Sequence, residues 1–304
     1  MNWRSKWINP VLNKEFRLRM RSPRSAVSVM IYVLALGLLA MGFIYLTMYL
    51  DNGPRRFDPS ISRVMFYVIS FAQLVLIAFM TPALTAGVIS GEREKQTLGM
   101  LLTTQQSSAT IILSKLVSAL SFMTVIVLAT LPIYSIVFLY GGISPGQLGL
   151  MFLFYLFVML LLGSLGVLFS TLFKRTIVAV IVTYGAGLLI FLVTGLLYLF
   201  FMSLVQQSYY QPGAVRPAHS WVGYILGLNP AGALLSILEP GFSREAFLVN
   251  RSISTQNDAP ISLWLEFVLV YTIVIIVVNL LSIRYIRPVR RRKQHEVETV
   301  EAGE

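Results

Sequence analysis

The chain contains no cysteine, so neither a disulfide framework nor a thiolate metal site can form. Charge is scarce as well. Only 12% of the residues are charged, against about 25% in a soluble domain, which leaves too little polar surface to cover a water-soluble globule. Histidine is almost missing: His219 and His295 stand 76 positions apart. In the topology derived below they fall on opposite sides of a membrane and cannot share a metal or a catalytic triad. No G-x-x-x-x-G-K-[ST] phosphate loop occurs, which excludes nucleotide hydrolysis by that route. A membrane-embedded protease or lipid transferase would need paired polar residues at one depth, and the pattern offers none.

What the chain has instead is apolar length. Apolar residues make up 56% of it, and its net charge of +11 sits in clusters beside apolar runs. Anionic lipid headgroups suit such clusters better than nucleic acid does. About 20 apolar residues cross ~30 Å of hydrocarbon. Six runs qualify: residues 26–50, 64–90, 116–140, 148–170, 177–205 and 263–283. The first is too long for a signal-peptide core and no small-residue cleavage site follows it, so it reads as a retained span. The expected fold is an all-α polytopic membrane protein. It divides into a cytoplasmic amphipathic connecting helix (1–25), a six-helix transmembrane domain (26–283) and a cytoplasmic basic-then-acidic tail (284–304).

Orientation follows from lysine and arginine. With 1–25, 91–115, 171–176 and 284–304 inside, 77 residues hold 18 basic ones. The opposite side (51–63, 141–147, 206–262) also has 77 residues and holds six. Both termini are therefore expected in the cytoplasm. Residues 221–238, WVGYILGLNPAGALLSIL, could form a seventh span, but that would carry Arg287, Arg290, Arg291, Arg292 and Lys293 outside. The run is also interrupted by Asn229-Pro230, a cap and first-turn pair that starts a new helix. Two short helices dipping into the outer leaflet are expected within the external segment 206–262.

On the cytoplasmic side, Leu12, Phe16 and Met20 recur every four residues while Lys14, Arg17 and Arg21 point elsewhere. This predicts a helix in the headgroup plane, anchored by Trp3 and Trp7; a plain basic flank is the blander reading. The loop 91–110 is the only long one between spans on that side. It opens with Glu92-Arg93-Glu94-Lys95 and continues with the apolar Leu98, Met100, Leu101 and Leu102. Such a patch is either a docking surface for another protein or packing against the bundle's own helix ends. A new helix is expected to enter from a Ser107 or Ser108 cap.

The run Gly91-Glu92-Arg93-Glu94-Lys95, with Thr97-Leu98, Leu101-Leu102, Thr104 and Lys115, resembles the first cytoplasmic loop of permeases in the ABC type-2 transporter family. Asn9-Pro10-Val11, Lys14-Glu15 and Arg21-Ser22 resemble that family's connecting helix. Six spans and the external Asn229-Pro230 extend the likeness over nearly the whole chain. Gln96 departs from it where a small residue is frequent, and Gln105 where proline commonly follows the threonine. The resemblance implies the permease subunit of an ATP-driven exporter in a plasma membrane, of bacterial type. A coupling helix within 91–102, carried by Gly91, Glu92, Arg93, Glu94, Lys95, Thr97, Leu98, Leu101 and Leu102, would sit in a groove of a cytoplasmic ATPase. Two such ATPases would bind ATP and magnesium, leaving this chain without a cofactor. A second permease, identical or related, would complete the unit.

Polar and small residues mark a possible path through Gln73, Thr81 and Pro82 in the second span and Thr183, Tyr184 and Thr194 in the fifth, with close helix packing as the blander reading. The same resemblance makes these two spans line the central cavity. Gly163, Ser164 and Gly166 in the fourth span read equally as close-packing positions. These cavity residues favour an amphipathic or apolar cargo. An ion-gradient-driven secondary exporter is the main alternative, and it would place ionisable groups near the midplane. The spans offer only Glu266, near the outer end of the sixth, with Lys115 just below the third; both are expected to reach water or headgroups. A non-transporting sensor of the same architecture is the other alternative.

Overall fold

The computed structural model describes residues 22–50, 59–99, 107–139, 143–209, 220–248 and 259–286, and these form helices without a strand. Six helical stretches are long and apolar enough to cross a membrane: Ser25–Thr47, Ser62–Glu94, Ser108–Phe138, Pro145–Leu172, Thr176–Gln207 and Leu263–Tyr285. They are the six that the apolar runs predicted. The segment carrying Leu12, Lys14, Phe16, Arg17, Met20 and Arg21, the tail beyond 286, and both histidines lie outside the described residues.

Local chemistry sets the helix starts. Ser144 and Gln147 form a reciprocal cap in which the Ser144 hydroxyl accepts from the Gln147 N–H at 3.1 Å, with Pro145 in the first turn. Ser107 accepts from the Thr110 N–H at 3.1 Å, so the third span starts at Ser108. That is two turns earlier than its apolar run. The third span is then broken at Ala129-Thr130, where Leu131–Leu139 begins with Pro132, a residue with no N–H to continue the previous turn.

The fourth span is the hub. It packs against the second, third, fifth and sixth, and 67% of its most apolar window is buried, against 0% for the fifth. Glycine permits the closest of these approaches: a Cβ on Gly166 would stand 2.2 Å from the Thr85 hydroxyl. The main core joins Tyr32, Phe66, Tyr134, Tyr155 and Phe267. A smaller cluster, Val88, Ile89, Leu98, Ile111, Ile112, Leu116, Val167 and Ile286, sits at the end where the second span finishes and the third begins. We call this the basic end.

Residues 221–238 do not cross. They fold as two short helices, Gly223–Gly227 and Pro230–Leu238, reversing at Leu228-Asn229, and a third, Phe242–Phe247, follows. Asn229 caps the second by accepting from the Ala231 N–H at 2.8 Å. The hairpin packs against the sixth and fourth spans.

Candidate functional site

The second span's helical stretch reaches Glu94, and its regular helix Pro59–Thr85, 27 residues, already measures about 40 Å against ~30 Å of hydrocarbon. Its charged tip therefore projects beyond the apolar layer. The helix Pro59–Thr85 gives way to a turn at 86–89, and one helical turn, Ser90–Glu94, completes the tip.

Every charged side chain from Glu92 to Glu94 is committed to the protein's own helix ends. Arg93 donates to the Thr171 and Phe173 carbonyls, each at 3.1 Å, at the C-terminus of Pro145–Leu172. A cation there satisfies orphan carbonyls and the negative end of the helix dipole. Glu94 serves the opposite need three residues later. It accepts from the Thr176 N–H at 2.7 Å and the Thr176 hydroxyl at 2.9 Å, capping Thr176–Leu188, whose own N-cap residue Arg175 makes no side-chain cap. Two consecutive residues thus staple both sides of the turn between the fourth and fifth spans. Beneath them the Ser170 hydroxyl accepts from the N–H groups of Ile89 and Ser90 at 2.8 and 2.9 Å.

Glu92 ties the tip to the third span. Its carboxylate lies 3.1 Å from the Lys115 ammonium and also accepts from the Thr97 hydroxyl. Lys115 is 3% exposed, which corrects the expectation that it reaches headgroups. Because the third span starts at Ser108, its second turn carries Lys115 into the bundle, where a buried ammonium needs a carboxylate. Burial pushes the Glu92 pKa upward, but the Thr97 hydroxyl and Lys115 outweigh it and hold the carboxyl below its ordinary value. Glu94 is likewise held low, by the Thr176 N–H and then its hydroxyl.

The tip ends in a Schellman turn, in which the Thr97 N–H donates to the Glu92 carbonyl at 3.0 Å and the Gln96 N–H to the Arg93 carbonyl at 3.1 Å. Gln96 holds the left-handed position of that turn, with φ 59°. Glycine suits this position best, so glutamine here holds a backbone conformation that side chains rarely adopt. Leu98 is buried in the basic-end cluster, so for this residue packing within the bundle is the answer. Glu94, Lys95, Gln96 and Gly99 are exposed and Gly91 partly so, whereas Leu101 and Leu102 lie outside the described residues. Reading the sequence missed the receiving groups Ser170, Thr171, Phe173 and Thr176. Only the short Lys174-Arg175 break marked that turn.

The expected pathway residues separate into two groups. Gln73, Thr81 and Thr183 are fully buried within the bundle. Gln73 accepts from the Thr130 hydroxyl at 3.4 Å, and Thr183 bonds its own helix at Ala179. Tyr184 instead joins the two spans expected to line the cavity: its hydroxyl donates to the Phe79 carbonyl at 2.7 Å, one turn before Pro82. Thr194 is half-buried and bonds the Ile190 carbonyl. The fifth span presents an open apolar face through Ile177, Ile181, Leu188, Leu192 and Leu196. At the far end of the sixth span, Glu266 is partly buried against Gly227, and its Oε2 is buried with no hydrogen-bond partner among the described residues. Among the described residues no group of three or more His, Asp or Glu side chains stands together as a metal site would need.

Residues 9–290 match the family described as ABC-2 family transporter protein. No curated protein matches the chain.

Proposed function

The chain belongs to the ABC-2 transporter family, whose members are membrane permease components of ABC transporters, and from that premise we propose that it is the permease subunit of an ATP-driven exporter. A separate ATPase subunit binds the exposed turn around Lys95 and Gly99. Two such ATPases and a second permease bundle, a copy or a relative, complete the working unit. The basic end faces the cytoplasm, by the excess of lysine and arginine there.

One observation carries this reading. The charged tip of the second span is bonded at once to the third span (Glu92–Lys115), the fourth (Arg93 with Thr171 and Phe173) and the fifth (Glu94–Thr176). A push on a free loop would be absorbed by the loop. A push on this tip is delivered to three helices, and among them the fifth span has the least-buried apolar window. ATPase closure therefore swings the lower part of the fifth span and opens a cavity on its apolar face, which suits an amphipathic or apolar cargo. The secondary-exporter alternative finds little support: Glu266 lies in the first turn of its helix, far from the midplane where a coupling carboxylate would work.

The absence of native cysteine makes the test direct. Lys95→Cys is expected to cross-link to a co-expressed ATPase subunit with a yield that depends on nucleotide. Trp221→Cys, exposed on the hairpin, is the control. A Lys95→Cys yield no higher than that of Trp221→Cys would contradict the assignment.

A further inference from the structure

The fifth span is not a uniform α-helix. Leu189–Val193, midway between Thr176 and Gln207, is a π-helical turn. Such turns widen the hydrogen-bond ladder from i→i+4 to i→i+5 and loosen the hold on the carbonyls within it. Here the Phe191 carbonyl accepts from the Asn229 side-chain N–H at 2.7 Å. The other end of the same amide caps Pro230–Leu238 through the Ala231 N–H. One 4%-exposed side chain therefore joins the middle of the fifth span to the turn of the re-entrant hairpin. Gly195 makes room for it: a Cβ there would stand 3.0 Å from Asn229 Nδ2.

The hairpin is held by the sixth and second spans as well as by the upper half of the fifth, whose Phe201 ring stands 5.4 Å from that of Trp221. The Tyr271 hydroxyl donates to the Leu228 carbonyl at 3.0 Å, and the backbone N–H of Trp264 to the Ser236 hydroxyl at 3.0 Å, both from the sixth span. The second span adds Tyr67, which donates to Glu239 at 2.6 Å. On the fifth span, Tyr198 makes a longer contact at 3.5 Å with the Ala246 carbonyl. The lower half of that span is bonded instead to the charged tip and, through Tyr184, to the second span. The two halves thus answer to different anchors, and the π-turn lies between them.

We propose that Asn229 is a positioning residue that pins the midpoint of the fifth span to the hairpin, making the π-turn the point where the span bends. The bending depends on the permease reading, whereas the pin itself does not. Asn229→Ser keeps an N-cap oxygen for Ala231 but is too short to reach Phe191. In the full-length chain in lipid nanodiscs, amide exchange across 189–198 is expected to rise about fivefold, the effect of losing one hydrogen bond, while exchange across 230–238 stays at the wild-type rate. Gly195→Ala, which crowds Nδ2 and leaves the cap intact, is expected to shift 189–198 in the same direction. With spin labels at Ile181 and Leu199, both exposed, Asn229→Ser is expected to broaden the distance distribution. Unchanged exchange across 189–198, or an equal rise across 230–238, would overturn the pin, and an unchanged distribution would overturn the bend at the π-turn. Failure to recover an ATPase with the chain would count against the permease reading alone, since none of these comparisons requires one.

Discussion

The Glu94 carboxylate takes both hydrogen-bond donors of Thr176, backbone and hydroxyl, across 82 positions of sequence. It caps a helix that starts in a different hairpin, so the second and fifth spans share one end. If that end is how force reaches the fifth span, Glu94→Ala should leave insertion, folding and ATPase binding intact while lowering the stimulation of ATP turnover by the permease. Thr176→Val keeps the backbone bond and loses the hydroxyl, so it should fall between wild type and Glu94→Ala. Turnover of reconstituted complexes checks the order, and equal stimulation in all three would remove Glu94 from the force path.

Glu92 and Lys115 should respond unequally to substitution. Glu92→Gln leaves a buried ammonium without its carboxylate and should cost about 1–3 kcal/mol. Lys115→Met replaces the ammonium with an apolar chain of similar length and leaves Glu92 with water on its exposed side, so it should cost less. Adding Lys115→Met to Glu92→Gln should recover part of the loss. Thermal unfolding in detergent ranks the three variants.

The same pair carries a pH dependence. Because the Glu92 pKa is lowered in the folded state, its contribution is present at neutral pH and is lost as pH falls through the folded-state value, below the ordinary 4.5. The stability gap between wild type and Glu92→Gln should therefore be full at pH 7 and close only under stronger acid. A gap that closes between pH 7 and 5 would contradict the assigned direction.

Gly166→Ala tests the hub. The new Cβ would meet the Thr85 Cβ at 3.0 Å and the Ala86 nitrogen at 3.2 Å as well as the Thr85 hydroxyl, so the fourth and second spans must separate, at about 1–3 kcal/mol. Thr85→Ala should rescue only part of this, because two of the three contacts remain. Gly185→Ala, with nothing within 4 Å, should be close to neutral. Unfolding temperatures that fail to separate Gly166→Ala from Gly185→Ala would refute the close packing.

The spans were legible because hydrocarbon demands a length of apolar chain that few other structures require, and Ser107 and Asn229 announced their helices by cap chemistry alone. The burial of Lys115 was not legible, since it looks like a headgroup anchor until Glu92, 23 positions earlier, is known to stand beside it. The charged tip was visible as a cluster, but its work was not. Arg93 and Glu94 act on carbonyl and amide groups of Thr171, Phe173 and Thr176, and backbone groups leave no trace in residue identity. The Asn229–Phe191 bond was hidden for the same reason. Gln96 was visible as a departure from the resemblance, whereas the left-handed backbone it holds was not.

The charged tip and the lower half of the fifth span are expected to move as one body when the ATPases close. Spin labels at Lys95 and Ile181, in complexes with one labelled permease copy, measure it. The separation should be the same without nucleotide and with nucleotide trapped, while the Ile181–Leu199 separation across the π-turn changes. A Lys95–Ile181 separation that shifts on trapping, with Ile181–Leu199 constant, would contradict the account.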